Sequence, residues 1–134
     1  MVRTLGHMPG WAIGGGEPLP AQVALQWSDW GVRETWAFSD PAMHAHCSAS
    51  RIVAPVHLWG VSDDLTYAPP RAVDALAGQF ANAAVQRHQV SPAELGVARI
   101  GHFGAFRREP GARLWPRMLE PVEAAMLALS RCRI

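Results

Sequence analysis

The chain contains no lysine, no Gly-x-Ser-x-Gly sequence, no Cys-x-x-Cys pair and no run of 18 apolar residues. Each absence excludes something. Lacking the apolar run, the sequence offers no membrane-spanning helix, and residues Met1 to Gly10 lack the apolar core of a signal peptide, so a soluble, unexported protein is expected. Its two cysteines, Cys47 and Cys132, lie far apart, which leaves a disulfide framework unsupported and makes a reducing cytoplasm the expected location. Twelve basic and eleven acidic residues spread along the chain give a formal charge of +1. No field of one sign exists to gather phosphate backbones or anionic lipid, so neither nucleic acid nor a membrane is an expected partner. Every basic residue is arginine. That bias fits a GC-rich bacterial coding sequence better than a chemical demand for guanidinium.

What is present describes a folding chain. At 134 residues it supports one domain with a modest core. The hydrophobic fraction of 49% and charged fraction of 17%, with mean hydropathy near zero, are globular values.

Residues 1–51 are the least regular. Pro9-Gly10 and Gly14-Gly15-Gly16 interrupt periodic structure, and after Pro18 and Pro20 the apolar spacing of Val23, Trp27 and Trp30 predicts a helix over about Ala21 to Trp30. Trp36 and Phe38 follow, before a turn at Ser39-Asp40-Pro41. Core packing is the favoured role for these rings, because aromatics chiefly serve burial. The functional alternative is a lid, with Trp27, Trp30, Trp36 and the later Phe103 as substrate-binding wall. Gly14-Gly15-Gly16 is no phosphate cradle, since it lacks the preceding strand and the Gly-Lys-Ser/Thr ending.

From Ile52 strands and helices alternate, which predicts an α/β unit with parallel pairing. Ile52 to Val61 reads as a strand buried on both faces, and Pro69-Pro70 opens a helix with Val73, Leu76, Ala77 and Phe80 on one stripe, fading at Asn82. Val85 to Val90 reads as a second strand, and Ser91-Pro92-Ala93-Glu94 as a loop or single helical turn. A last helix starts near Ala112 with Trp115, Leu119, Val122, Met126 and Leu129 on one face, and Pro121 predicts a kink or break near 117–121.

Chemistry concentrates where the first strand ends in Asp63-Asp64 and where Gly101-His102-Phe103-Gly104 follows the second strand. An acid at the carboxyl end of a strand, then a helix, a strand and a loop histidine, is how one catalytic apparatus supplies its orienting carboxylate and general base. The structural alternative is that the acids cap the next helix and His102 is an ordinary loop residue.

Three segments, Pro55-Val56-His57-Leu58-Trp59-Gly60-Val61-Ser62-Asp63-Asp64, Ala68-Pro69-Pro70-Arg71-Ala72-Val73-Asp74-Ala75-Leu76 and Arg99-Ile100-Gly101-His102-Phe103-Gly104-Ala105-Phe106-Arg107, together resemble the carboxyl-terminal part of the bacterial α/β-hydrolase family. The likeness is to predicted serine hydrolases with a Gly-His-Phe-Gly-x-Phe-Arg histidine. Leu5 to Gly10 and the Leu19 to Trp27 helix look like the insertion preceding the acid strand in those proteins, so the resemblance covers nearly the whole chain. It implies the carboxyl-terminal portion of an α/β-hydrolase fold, with short parallel strands and flanking helices. It also implies a Ser-His-Asp triad in which His102 is the base and Asp64 or Asp63 the acid. By analogy with the family's strand-to-turn spacing, counted from Pro55 and back from Pro69, the resemblance favours Asp64, while Gly60-x-x-Asp63 fits the commoner Gly-x-x-Asp form. The nucleophile and oxyanion donors would come from a half that this sequence does not include. The expected substrate is a small ester or acyl compound, turned over only when that amino-terminal half is joined; alone, the chain should hydrolyse nothing through the triad. The competing expectation is a non-catalytic binding or assembly module, through self-association or pairing with another chain. No cofactor is expected.

The other histidines carry weaker signals. His57, in a buried strand, is expected to bond a backbone group, and His7 and His88 have no partner evident from sequence. His44-Ala45-His46-Cys47 has zinc-type ligands, but no second cluster completes four, so no metal site is expected.

Overall fold

A computed structural model describes residues 2–13, 16–33, 35–43 and 46–131. The chain divides into two compact units, Met1–Ser48 and Ala49–Ile134.

The first unit begins with a helical turn, α1 (Val2–Leu5), which Gly6 ends in the left-handed conformation at φ +73°. Two short antiparallel strands follow, β1 (His7–Met8) and β2 (Leu19–Pro20), paired His7 with Pro20 and Met8 with Leu19. Helix α2 (Ala21–Gly31) starts directly after Pro20 and buries Ala24 and Trp30. Of the expected stripe, only Trp30 is buried; Val23 and Trp27 are exposed. A unit this small has too little opposing surface to cover three large side chains on one short helix. Trp30 donates its indole N–H to Asp40 Oδ2 at 2.7 Å and meets the edge of Trp36 at 5.2 Å. A 3-10 turn over Trp36–Ser39 precedes Asp40.

The second unit is built on β3 (Val56–Val61) and β4 (Val85–Val90), parallel and in register from Val56 against Val85 to Val61 against Val90. The range of β4 is the one read from the sequence. By contrast β3 starts at Val56 instead of Ile52, because its partner begins at Val85 and Pro55 offers no N–H to a ladder. Helix α3 (Pro70–Ala77) makes the crossover and ends before Phe80 and Asn82. It covers the sheet face carrying Leu58, Gly60, Arg87 and Gln89. A Cβ placed on Gly60 would lie 3.6 Å from Val73 Cγ2, and Asp74 pairs with Arg87.

The opposite face carries His57, Trp59 and Val61 beside Gln86, His88 and Val90, and it holds the core. Val90, Leu95, Ile100 and Leu114 form a buried cluster, flanked by Trp59, Val61, Val97, Ala105 and Met118. Helix α4 (Pro92–Leu95) is a single turn closed by a full capping box: Ser91 accepts from the Glu94 amide, and Glu94 accepts from the Ser91 amide. Helix α5 (Arg108–Arg131) begins four residues before the expected Ala112 and is continuous through Pro116 and Pro121, so of the expected kink or break, no break occurs. Its buried positions are Gly111 and Leu114, with Met118 half-buried. The predicted stripe Trp115, Leu119, Val122, Met126 and Leu129 is exposed. The core takes the neighbouring face, Gly111, Leu114 and Met118, which lies one helical step of about 100° from Trp115 and Leu119. Beyond them, 24 helical residues extend about 36 Å and outrun six-residue strands of about 20 Å, which leaves Val122, Met126 and Leu129 exposed. Nor is β3 buried on both faces; all but Gly60 are half-exposed, because two strands and one short helix cannot seal a sheet. No helix among the described residues is long and apolar enough to cross a membrane.

Candidate active site

The last ladder bond of the sheet runs from the Ser62 amide to Val90 O at 2.9 Å, and beyond it the chain turns, with the Asp64 amide donating to Val61 O at 3.2 Å. The two acids leave this turn in different directions. Asp63 reaches residues 100–101, where its Oδ2 accepts the Ile100 N–H and its Oδ1 the Gly101 N–H, each at 2.9 Å. Asp64 reaches His102: its Oδ2 lies 2.7 Å from Nδ1. The other oxygen of Asp64 accepts the Tyr67 N–H at 3.1 Å, and the Ala68 amide adds a further donor.

The histidine loop is shaped by its glycines. Gly101 sits at φ +64°, a conformation that costs any side-chain-bearing residue, and Gly104 packs so closely that a Cβ would come within 2.4 Å of Ile100 Cγ2. Ile100 is itself part of the core, so the loop is fastened to the sheet immediately before His102.

Asp64 is 4% exposed, while the His102 side chain is 38% exposed. Burial pushes the Asp64 carboxyl up, but the His102 hydrogen bond, the amides of Tyr67 and Ala68 and the charge of the imidazolium outweigh it, so the group stays below its ordinary 3.8. Burial also acts on Asp63, and there the amides of Gly101 and Ile100, with Arg99 nearby, again win and hold the carboxyl low. Both acids are therefore carboxylates at neutral pH. A carboxylate accepts only, so in the neutral imidazole Nδ1 carries the proton and Nε2 the lone pair. Two rings flank the imidazole: Tyr67 at 4.9 Å, tilted by 34°, and Phe103 at 4.8 Å, edge-on. The arrangement is a partly exposed base held in one tautomer by a buried carboxylate.

Of the residues singled out from the sequence, the structure brings together His102, Asp64, Asp63 and Phe103. Trp27, Trp30 and Trp36 belong to the first unit, where Trp30 and Trp36 pack on each other and Trp27 is exposed. Within the second unit, His102 has Asp64 as its hydrogen-bond partner. His44 of the zinc-type cluster and Cys132 lie outside the described residues. Among the described residues no three metal-ligating side chains converge.

Sequence reasoning missed the Asp63 clamp, whose partners are backbone amides with no signature of their own. It also misassigned His57 and His88. His57 Nδ1 lies 3.0 Å from His88 Nε2 and not on a backbone group, and His88 stacks on Trp59 at 4.2 Å. The centroids of the two imidazoles are 5.2 Å apart, so the rings meet nitrogen to nitrogen. Strand alternation could have found this pair, because parallel register places residues 57, 59 and 88 on one face. His7 likewise has a partner, the carbonyl oxygen of Leu5 at 3.0 Å from Nδ1. No family model, no curated protein and no solved structure matches this chain.

Proposed function

We propose that the second unit is the acid–base part of a serine hydrolase of the α/β-hydrolase type, acting on an ester or similar acyl bond. The observation that carries this reading is the 2.7 Å contact between the buried Asp64 carboxylate and Nδ1 of the partly exposed His102. In this reading Nε2 takes the proton of a serine hydroxyl as it attacks the acyl carbon and returns it to the leaving group, while Asp64 stabilises the imidazolium. The sequence has no Gly-x-Ser-x-Gly elbow, so the nucleophile and its oxyanion donors are supplied by another polypeptide segment. The test is co-expression with an amino-terminal α/β-hydrolase half bearing that elbow, assayed with a 4-nitrophenyl ester. The completed assembly should hydrolyse it, and His102→Gln should lower kcat by about 10³-fold or more. Hydrolysis that is indifferent to His102 refutes the reading.

A second reading, a non-catalytic assembly module, is favoured by α5. Trp115, Leu119, Val122, Met126 and Leu129 are exposed at spacings of four, three, four and three, the repeat of a helix–helix seam. Sedimentation equilibrium distinguishes it: self-association abolished by Leu119→Ser with Met126→Ser, and untouched by His102→Ala, is its signature.

A further inference from the structure

We infer that Asp63 is a positioning residue for His102, setting the imidazole through the backbone of residues 100–101 while the neighbouring Asp64 sets it through the ring. The inference rests on the hydrolase reading for its catalytic consequence, though not for its geometry.

A ring held at one nitrogen is fixed at one point only. Asp64 supplies that point, and the rings that flank the imidazole, Tyr67 and Phe103, are themselves exposed, so its orientation also depends on where its own backbone sits. Immediately upstream is Gly101, the residue type with the widest choice of backbone conformation. A Cβ built on Gly101 would meet the Arg99 guanidinium at 3.4 Å, and a flexible guanidinium does not lock a glycine. The lock is Asp63. Its two oxygens take two successive amides, those of Ile100 and Gly101, at equal distances of 2.9 Å. These two N–H groups belong to successive peptide planes, 99–100 and 100–101, so two bonds to one planar carboxylate fix the torsions of Ile100 between them. The peptide that enters Gly101 is thereby held in place, and the left-handed turn of Gly101, at φ +64°, starts from a fixed plane on its way to His102.

The placement of the acids gives the device a further property. Both issue from one dipeptide at the end of β3, tied to β4 by the Ser62 amide. The ring anchor and the backbone anchor of His102 therefore share a mount, and a shift of the strand end carries both together. An asparagine at position 63 cannot serve, because its NH₂ would face one of the two N–H donors.

Nitrogen-15 NMR of the imidazoles tests this in the chain as it stands. The unmodified protein should show His102 as a single Nδ1–H tautomer with a slowly exchanging Nδ1 proton, and the amides of Ile100 and Gly101 should be protected from exchange. Asp63→Asn should lose the Nδ1 proton signal and give the averaged tautomers of a mobile imidazole, while the β3–β4 ladder amides keep their protection. Asp74→Asn, which removes a carboxylate on α3 remote from the loop, should leave His102 unchanged. An Asp63→Asn spectrum with the His102 tautomer intact overturns the inference. So do unprotected Ile100 and Gly101 amides in the unmodified chain, a result that needs no variant to fold. In a completed hydrolase, Asp63→Asn should lower kcat about 10–100-fold with KM nearly constant. An assembly without any activity counts against the hydrolase reading, and the NMR result then still decides the positioning role.

Discussion

Replacing Asp64 by alanine and by asparagine should separate what that carboxylate does for stability from what it does for chemistry. In Asp64→Ala three donors lose their acceptor: Nδ1–H of His102 and the amides of Tyr67 and Ala68. Water reaches the exposed His102 and Tyr67 side chains, so each loss belongs near the lower end of the usual range, about 1 kcal/mol apiece and about 3 kcal/mol together. For a unit of this size about 3 kcal/mol corresponds to a fall of roughly 12–24 °C in Tm. Asp64→Asn keeps an oxygen for the two amides, so its stability loss should be nearer 1 kcal/mol. Its NH₂ nevertheless faces Nδ1, which forces the proton to Nε2 and leaves no lone pair where a serine hydroxyl would be deprotonated. In a completed hydrolase that change should lower kcat by about 10⁴-fold.

The pH dependence follows from the same contacts. Folding lowers the Asp64 carboxyl below its ordinary 3.8, so its contribution is fully present above the unfolded value and is lost as pH falls through the lower, folded one. Asp64→Ala should therefore lose stability less steeply than the unmodified chain as pH falls below about 4. Calorimetry across that range measures both effects. A Tm drop below about 4 °C for the alanine variant, or an unaltered acid limb, would refute the account of Asp64 as a buried, multiply bonded acceptor.

Leu114, 2% exposed in the core cluster, should cost about 2–5 kcal/mol when cut to alanine, measured by urea unfolding of the second unit. Gly101→Ala should cost about 1–2 kcal/mol, because φ +64° is strained for any residue with a Cβ, and should also disturb the His102 imidazole signals. Ser91→Ala removes one side of the α4 capping box and should lower stability by about 1 kcal/mol, visible as a shifted urea midpoint with an unchanged slope.

How much could be read in advance depended on whether the cause was local. The range of β4 was legible because Val85 and Val90 bound an extended run and Ser91-Pro92 stops it. The Ser91 to Glu94 turn was legible from its own capping residues. The beginning of β3 was not, since that is set by where a partner 29 residues downstream starts to pair. The α5 stripe was legible as a helical face, but what covers it was not, because a pattern shows which side chains lie together and not whether anything opposes them. At the site, the strand-end acids and the glycine-flanked histidine were visible from sequence. Which acid meets the imidazole was not, because Asp63 and Asp64 differ only in the direction their side chains take from one turn. The Asp63 clamp was hidden altogether, its partners being amides that every residue but proline owns.

The parallel pairing of β3 and β4 has a consequence for how the molecule comes to be. A parallel neighbour cannot be reached by a tight hairpin, so the polypeptide must travel out along α3 and back before the ladder closes. Asp63 and Ile100 are 37 positions apart, and their bond waits on that return journey. The amide of Ile100 is thus a timer: in a pulse-labelling refolding experiment, the moment it becomes shielded marks the moment the stretch from β3 through α3 and β4 has closed.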